Sequence, residues 1–225
     1  MYKVFLPYDV YERHKKVSEF IEKSDSVLDV GGELNHLSQF IKPKNIIVAN
    51  LDTGDVLIKK TNLPFKQCSF DVVCAIDVLE HIPKKNREKF INDLLRVAQK
   101  KVILSFPIGT IEHTNYERKM QTFLVKKGIN VTYLKEHIKY GLPQREEIEK
   151  ITKNFKTIIY YSGIIKINEY LFKLYIFDPT VKVIRKLIYY FKLLFNLISN
   201  PFFYFILSKK PYSKSINRAY LIIFK

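Results

Sequence analysis

Cysteine is scarce: only Cys68 and Cys74 occur in 225 residues. They stand in no metal-ligand spacing, and Cys74 sits inside an apolar run, so inert thiols in a reducing compartment and no metal ligand set are expected. Acidic residues are also few. The 22 Asp and Glu face 38 Lys and Arg, a formal charge of +16. A surplus of that size asks for an anionic partner: nucleic acid, a membrane, or a phosphorylated substrate. Met1 to Asp9 lacks the basic, apolar and small-residue order of a secretion signal, so none is expected there. No internal repeat is present. The charge-free window Leu193 to Ser208 is about sixteen residues and holds Pro201, Asn196 and Asn200. That is short of the roughly 20 apolar residues that span a bilayer.

What the chain does have is the stretch Ser26-Val27-Leu28-Asp29-Val30-Gly31-Gly32. Aliphatic residues lead into an acid and then a glycine pair. Leu34, Leu37, Phe40 and Ile41 follow at helical spacing. The pattern predicts a buried strand, a glycine turn and a helix. Glycine there lets backbone approach a ligand at the carboxyl end of a strand, where open α/β sheets bind nucleotides.

Further strands are predicted at Asn45–Asn50, Ser69–Asp77, Lys101–Phe106, Phe155–Tyr161 and Ala219–Phe224. Amphipathic helices are predicted at Asp9–Lys23, Arg87–Gln99, Tyr116–Lys127 and Arg145–Lys153. Strands that alternate with helices make parallel pairs with crossovers, so the fold class is α/β with a doubly wound, mostly parallel sheet. One piece breaks the alternation. Between Ile167 and Ser215, Lys182, Arg185, Lys186 and Lys192 recur at helical steps opposite Ile184, Leu187, Ile188, Phe191 and Phe195. Pro201 is expected to break that helix. The domain reading is therefore 1–166 plus 216–225 as the α/β unit, with 167–215 a basic amphipathic insertion. Such a helix lies in a membrane interface, so 180–210 are expected to meet an anionic membrane surface.

Three segments together resemble the class I S-adenosylmethionine-dependent methyltransferases, in their branch acting on small molecules, lipids or glycans. They are Val27–Gly32; Leu63-Pro64-Phe65 followed by Ser69–Val73; and Asp77-Val78-Leu79-Glu80-His81-Ile82-Pro83. Leu134–Pro143 is similar to a segment of members that act on sugars or glycolipids. The resemblance implies a Rossmann-like fold and S-adenosyl-L-methionine as cofactor. It implies that Asp29, Gly31 and Gly32 line the methionine and ribose, that Asp52 takes the ribose hydroxyls, and that Asp77 lies beneath the amino-acid end. The chain departs from the family at Glu33 and Asn35, where glycines are usual, and at Lys59, near which an acid usually meets the adenine. Asn35 suits a left-handed backbone.

Alignment of donor and acceptor is the main need of an in-line methyl transfer, and a hydroxyl acceptor also needs a base. His137, His113 and His81 follow strand ends or lie in the matching segments, with Glu136 beside His137. His14 and His36 read as structural or solvated. The expected function is methylation of a membrane-associated acceptor such as a lipid-linked glycan, glycolipid or other amphiphile, by a cytoplasmic protein peripheral to the cytoplasmic membrane. The alternative is a pseudoenzyme that has kept the fold as a membrane-bound scaffold. A nucleic-acid partner rests on charge alone and is not expected. A nicotinamide dehydrogenase is disfavoured by the missing glycine triplet.

Overall fold

The computed structural model describes residues 3–59 and 62–225. Its strands are β1 (Ser26–Val30), β2 (Asn45–Asn50), β3 (Val56–Leu57), β4 (Phe70–Ile76), β5 (Ala98–Pro107), β6 (Lys156–Ile164) and β7 (Ile216–Phe224). They form one sheet in the order β3-β2-β1-β4-β5-β7-β6, with β7 antiparallel to both of its neighbours and the other pairs parallel. The expected doubly wound, mostly parallel sheet is thus present.

Period-two alternation explains why both faces are covered. Leu28, Val73, Val102, Leu104 and Leu221 point to one side and pack on Phe90, Ile91 and Leu94 of helix α2 (Lys84–Val97). Their neighbours Val27, Val72, Cys74, Ile103 and Tyr220 point to the other side, against Val17 of helix α1 (Tyr8–Ser18). Helices α3 (Ile111–Lys126), α4 (Thr132–Tyr140) and α6 (Ile165–Ile176) build a separate apolar cluster of Met120, Leu124 and Leu134 with Phe172 and Ile176. The short α5 (Arg145–Ile151) packs Ile148 into the first cluster.

Two expectations need correction. No α-helix follows the glycine turn: only the 3-10 turn Leu37–Gln39 forms, because Asn35 takes a left-handed φ of 67° and interrupts the run, leaving Leu34 49 % exposed. Pro201 does not end its helix. α7 runs from Lys182 to Leu207 straight through it. An internal proline costs about 3 kcal/mol, and anchors on both sides offset it. The Asn196 amide donates to the Phe5 carbonyl at 3.0 Å, and the Asn200 amide to the carbonyls of Val4 at 3.2 Å and Leu6 at 2.9 Å. The Tyr204 hydroxyl reaches Glu19 at 2.5 Å.

β1 and β4 are also joined at their start. The Ser26 N–H and hydroxyl donate to Asp71 at 2.8 and 2.7 Å. Those two bonds, with help from Lys100, hold the Asp71 carboxyl down at about 2. A carboxyl lowered on folding stabilises fully above its unfolded value, near 4, and loses that contribution as pH falls toward 2. Asp71→Asn should therefore lower stability at neutral pH and flatten the pH 4 to 2 limb of a urea-denaturation series. An unchanged slope would show that Asp71 does not carry it.

Candidate active site

The carboxyl ends of β1, β4 and β5 open on a cavity of about 560 Å³. Gly31, Gly32 and Asp77 form its floor, His81, His113 and His137 one wall, and Phe172, Tyr175, Phe195 and Asn196 a roof supplied by α6 and α7.

The glycine turn is shaped by one buried acid. Asp29 is fully buried, its Oδ1 lies 3.8 Å from the Cys74 thiol, and its Oδ2 has no partner. Burial pushes the Asp29 carboxyl up to about 7. A Cβ on Gly32 would collide with that carboxylate, and one on Gly31, whose φ is 76°, would collide with the Val78 side chain. Both positions need glycine for closeness, and Gly31 needs it for backbone as well. Glu33, the departure that most threatens an anionic ligand, lies at the open edge of the cavity: its side chain is 72 % exposed and lies 3.5 Å from His36 Nε2.

Asp52 is exposed beyond the end of β2 and does not line the cavity. The residue level with the glycine pair is Asn50, whose amide donates to the Gly32 carbonyl at 2.9 Å. Lys59 is exposed and bridges to Asn62, and Thr61 lies outside the described residues.

Asp77 takes a left-handed φ of 55° at the end of β4. Its N–H donates to the Ser105 carbonyl at 2.8 Å. Its carboxylate accepts Arg13 Nη1 at 2.6 Å and Arg218 Nη2 at 3.1 Å, with a second, shorter bond from Arg218 Nη1. Burial alone would raise the Asp77 carboxyl, but the guanidiniums of Arg218 and Arg13 hold it well below the usual carboxylate range. Arg218 also lies 3.7 Å from Glu12, which accepts the Tyr220 hydroxyl at 2.6 Å.

The histidines form two carboxylate pairs. His81 Nδ1 lies 2.6 Å from Glu136, and His137 Nδ1 lies 2.7 Å from Glu117. The two imidazoles are neighbours, with ring centroids 4.8 Å apart. His137 Nε2 is buried without a partner. Burial lowers His81 from its ordinary value, against the pull of Glu136. Glu80 is raised well above its ordinary value by burial and by Asp77. His113 is set apart: its Nδ1 meets the Ile108 carbonyl at 3.0 Å, and burial pushes it down to about 4. His14 is buried against the Val10 carbonyl at 2.7 Å, whereas His36 lies on a turn.

The sequence reading thus names His81, Glu136 and His137, which the fold brings together. It misses Glu117, Arg13 and Arg218, which carry no local motif. It also misses the role of Arg87, which is fully buried. Arg87 donates to the carbonyls of Leu79 at 3.2 Å, Ile82 at 3.1 Å and Gly141, and to Glu147 at 3.0 Å. It ties the loop carrying Glu80 and His81 to the end of the helix carrying His137.

Residues 35–106 match the family model described as a methyltransferase domain. A 49-residue stretch is 43 % identical to norajmaline N-methyltransferase of Rauvolfia serpentina. That stretch is 22 % of this chain and only 15 % of the plant protein. Over the whole fold, the chain is similar to a SAM-dependent methyltransferase of Thermotoga maritima described as a possible histamine N-methyltransferase. The TM-score is 0.57 at 12 % identity, covering 95 % of this chain and 88 % of that one. The chain thus has the fold of the class I methyltransferases. It is also similar to the plantazolicin methyltransferase in complex with SAH (TM-score 0.53, 12 % identity, 97 % and 85 % covered). The [4+2]-cyclase SpnF shares the fold too (TM-score 0.53, 11 % identity, 96 % and 81 % covered). The glycine pair at the cavity floor, with no room for a Cβ, fits S-adenosylmethionine, whereas Asp29, expected to line the cofactor, is fully buried behind Gly32 and does not line the cavity.

Removing one partner of a buried ion pair costs about 3–5 kcal/mol. Arg87→Met should lose that much in urea denaturation, because Glu147 and three carbonyls lose their donor together. A loss under 1 kcal/mol would show that the clamp is dispensable.

Proposed function

We propose that this chain transfers a methyl group from S-adenosylmethionine to a nucleophilic atom of an amphiphilic acceptor at an anionic membrane surface, a lipid-linked glycan or glycolipid being the kind of molecule meant. The cofactor supplies an electrophilic methyl group. The backbone of Gly31 and Gly32 holds its amino-acid and ribose portion, with Asp29 packed behind Gly32 and Asn50 fixing the turn. Asp77 serves this end of the site indirectly, since two guanidiniums engage its carboxylate. His81 and His137, each oriented by a glutamate, face the acceptor end, where one receives the proton of a hydroxyl acceptor. His113, held neutral by burial, lines the same wall.

The observation that carries the membrane part of the reading is the orientation of α7. Its polar side docks on the protein through Asn196, Asn200 and Tyr204. Its apolar side faces outward, with Leu187 64 %, Ile198 66 % and Phe205 88 % exposed. Lys192 belongs to the docked side, donating to the carbonyls of Tyr175 and Phe177 at 2.6 Å each, and Arg185 pairs with Asp178 at 3.1 Å. Lys182 and Lys186 are exposed, as is Lys209 beyond the other end. α7 is long and apolar enough to cross a membrane by length and composition. Docked along its length, it lies in the interface instead.

Phe195 connects the two regions. It lines both the cavity and an all-apolar groove on the outer face formed with Phe191, Leu194, Ile198 and Phe202. An acyl or prenyl chain resting in the groove would present its head group to the cavity. The charge distribution agrees. The cavity is lined by Asp9, Glu33, Asp77, Glu80 and Glu117 against Arg13, Lys192 and Arg218, so the surplus of +16 lies outside it. That favours an anionic surface over an anionic acceptor.

Each fully inserted large apolar side chain is worth about 1.5–3 kcal/mol. Leu187→Asp with Phe205→Asp should release the protein from anionic liposomes in a flotation assay without lowering its melting temperature. Wild-type protein that stays unbound at moderate salt, whatever the lipid charge, would remove the membrane surface from the reading. His137→Ala should lower turnover of a hydroxyl acceptor by about 10²–10⁴-fold while SAH affinity holds. Full turnover in that variant would exclude His137 from the acceptor side.

A further inference from the structure

Glu80, His81 and His137 each bring a ligand-type atom, one carboxylate oxygen and two imidazole nitrogens, to within 4.8 Å of one another. Glu80 is 1 % exposed and His137 7 % exposed. Glu80 Oε2 and His137 Nε2 are both buried without a hydrogen-bond partner. Orphaned polar atoms on two residues of one cluster are costly, since each forfeits its hydration. Their neighbours explain how they are kept in place. The Nδ1 atoms of His81 and His137 are engaged by Glu136 and Glu117, which leaves Nε2 on each ring as the free donor of a lone pair. Metal-binding histidines are commonly oriented this way, the far ring nitrogen held by a carboxylate.

We propose that Glu80, His81 and His137 hold a divalent cation at the acceptor end of the cavity. This reverses the expectation, drawn from cysteine spacing, that no metal ligand set is present. Two imidazoles and one carboxylate suit zinc, iron(II), cobalt or manganese. Magnesium and calcium prefer shells of oxygen alone. Bonds of about 2.0–2.2 Å in a tetrahedral site place ligand atoms about 3.4 Å apart. The three side chains then draw together by roughly an ångström, and both orphaned atoms gain a partner. Glu80 is within a loop fixed by Arg87 through the carbonyls of Leu79 and Ile82, so the approach falls to side-chain torsions rather than backbone.

Three protein ligands leave a coordination position open to the cavity. An acceptor hydroxyl bound there becomes more acidic, as metal-bound water does. With the ion bound, His81 and His137 serve as ligands and the hydroxyl's proton passes to water, so the imidazole base belongs to the ion-free site. This use of the ion rests on the proposed methyl transfer, but ion binding itself does not.

The test uses the whole chain, stripped with EDTA and then titrated with cobalt(II) and zinc by calorimetry, with the visible spectrum of cobalt as a second readout. The wild type should bind one equivalent. Glu80→Gln and His81→Gln should each weaken binding at least tenfold, and Glu136→Gln about 10–100-fold, as loss of a carboxylate behind a ligand histidine does. Cys68→Ser, removing an exposed thiol, should change nothing. His81 is only half-buried, so its variant keeps the test open should Glu80→Gln fail to fold by circular dichroism. No binding by the wild type, or equal binding in both ligand variants, overturns the site. A parallel SAH titration separates the two claims: metal bound without SAH leaves the ion site standing alone, and SAH bound without metal leaves only the methyltransferase reading.

Discussion

The candidate site depends on a knot of four charges at the end of β4. Asp77 sits in a left-handed backbone conformation and is held by Arg13 from α1 and Arg218 from β7, with Glu12 behind Arg218. Two acids and two guanidiniums balance each other, so burial is tolerable where a lone charge would not be. The knot fixes three elements distant in sequence at one point, and the next turn of chain carries Glu80 and His81. Arg87 completes the placement by tying that turn to the end of α4, where His137 lies. The histidines meet because buried guanidiniums pin both of their supports.

Much of this was legible from the sequence where a local rule decided the outcome. Short, nearly continuous apolar runs bounded by turn residues marked β1, β2 and β4 nearly to the residue, and Asn35 was readable as suited to a left-handed backbone. The glycine pair was readable because close approach demands glycine. Legibility failed where tertiary contacts overrode local signals. Leu34, Leu37, Phe40 and Ile41 are helically spaced, yet Asn35 interrupts the run. Pro201 reads as a breaker, yet Asn196 and Asn200 before it, bound to Val4, Phe5 and Leu6, and Tyr204 after it, bound to Glu19, hold the helix through it. Glu117 and Arg218 were invisible, since a buried partner from a remote element leaves no pattern near the residue it serves. Asp52 shows the converse: its place after a strand pointed to the site, but the chain turns it to solvent.

α7 inverts the usual arrangement of a surface helix. Its amides and Lys192 face the protein, and its aliphatic and aromatic side chains face outward. Apolar area of that extent on a water-facing surface marks an interaction site. Together with a cavity whose lining carries more acids than fixed cations, this is what the proposed function draws on: a basic, apolar exterior to meet a surface and a near-neutral interior to take an acceptor.

The claim beneath all of this is that the glycine turn is a working cofactor cradle. Calorimetric titration of the whole chain with S-adenosylhomocysteine tests it most directly. The account predicts one equivalent bound by the wild type and none by Gly32→Ala, whose Cβ would displace the Asp29 carboxylate. A folded wild-type protein that binds no S-adenosylhomocysteine, or a Gly32→Ala variant that binds it equally well, would contradict the account.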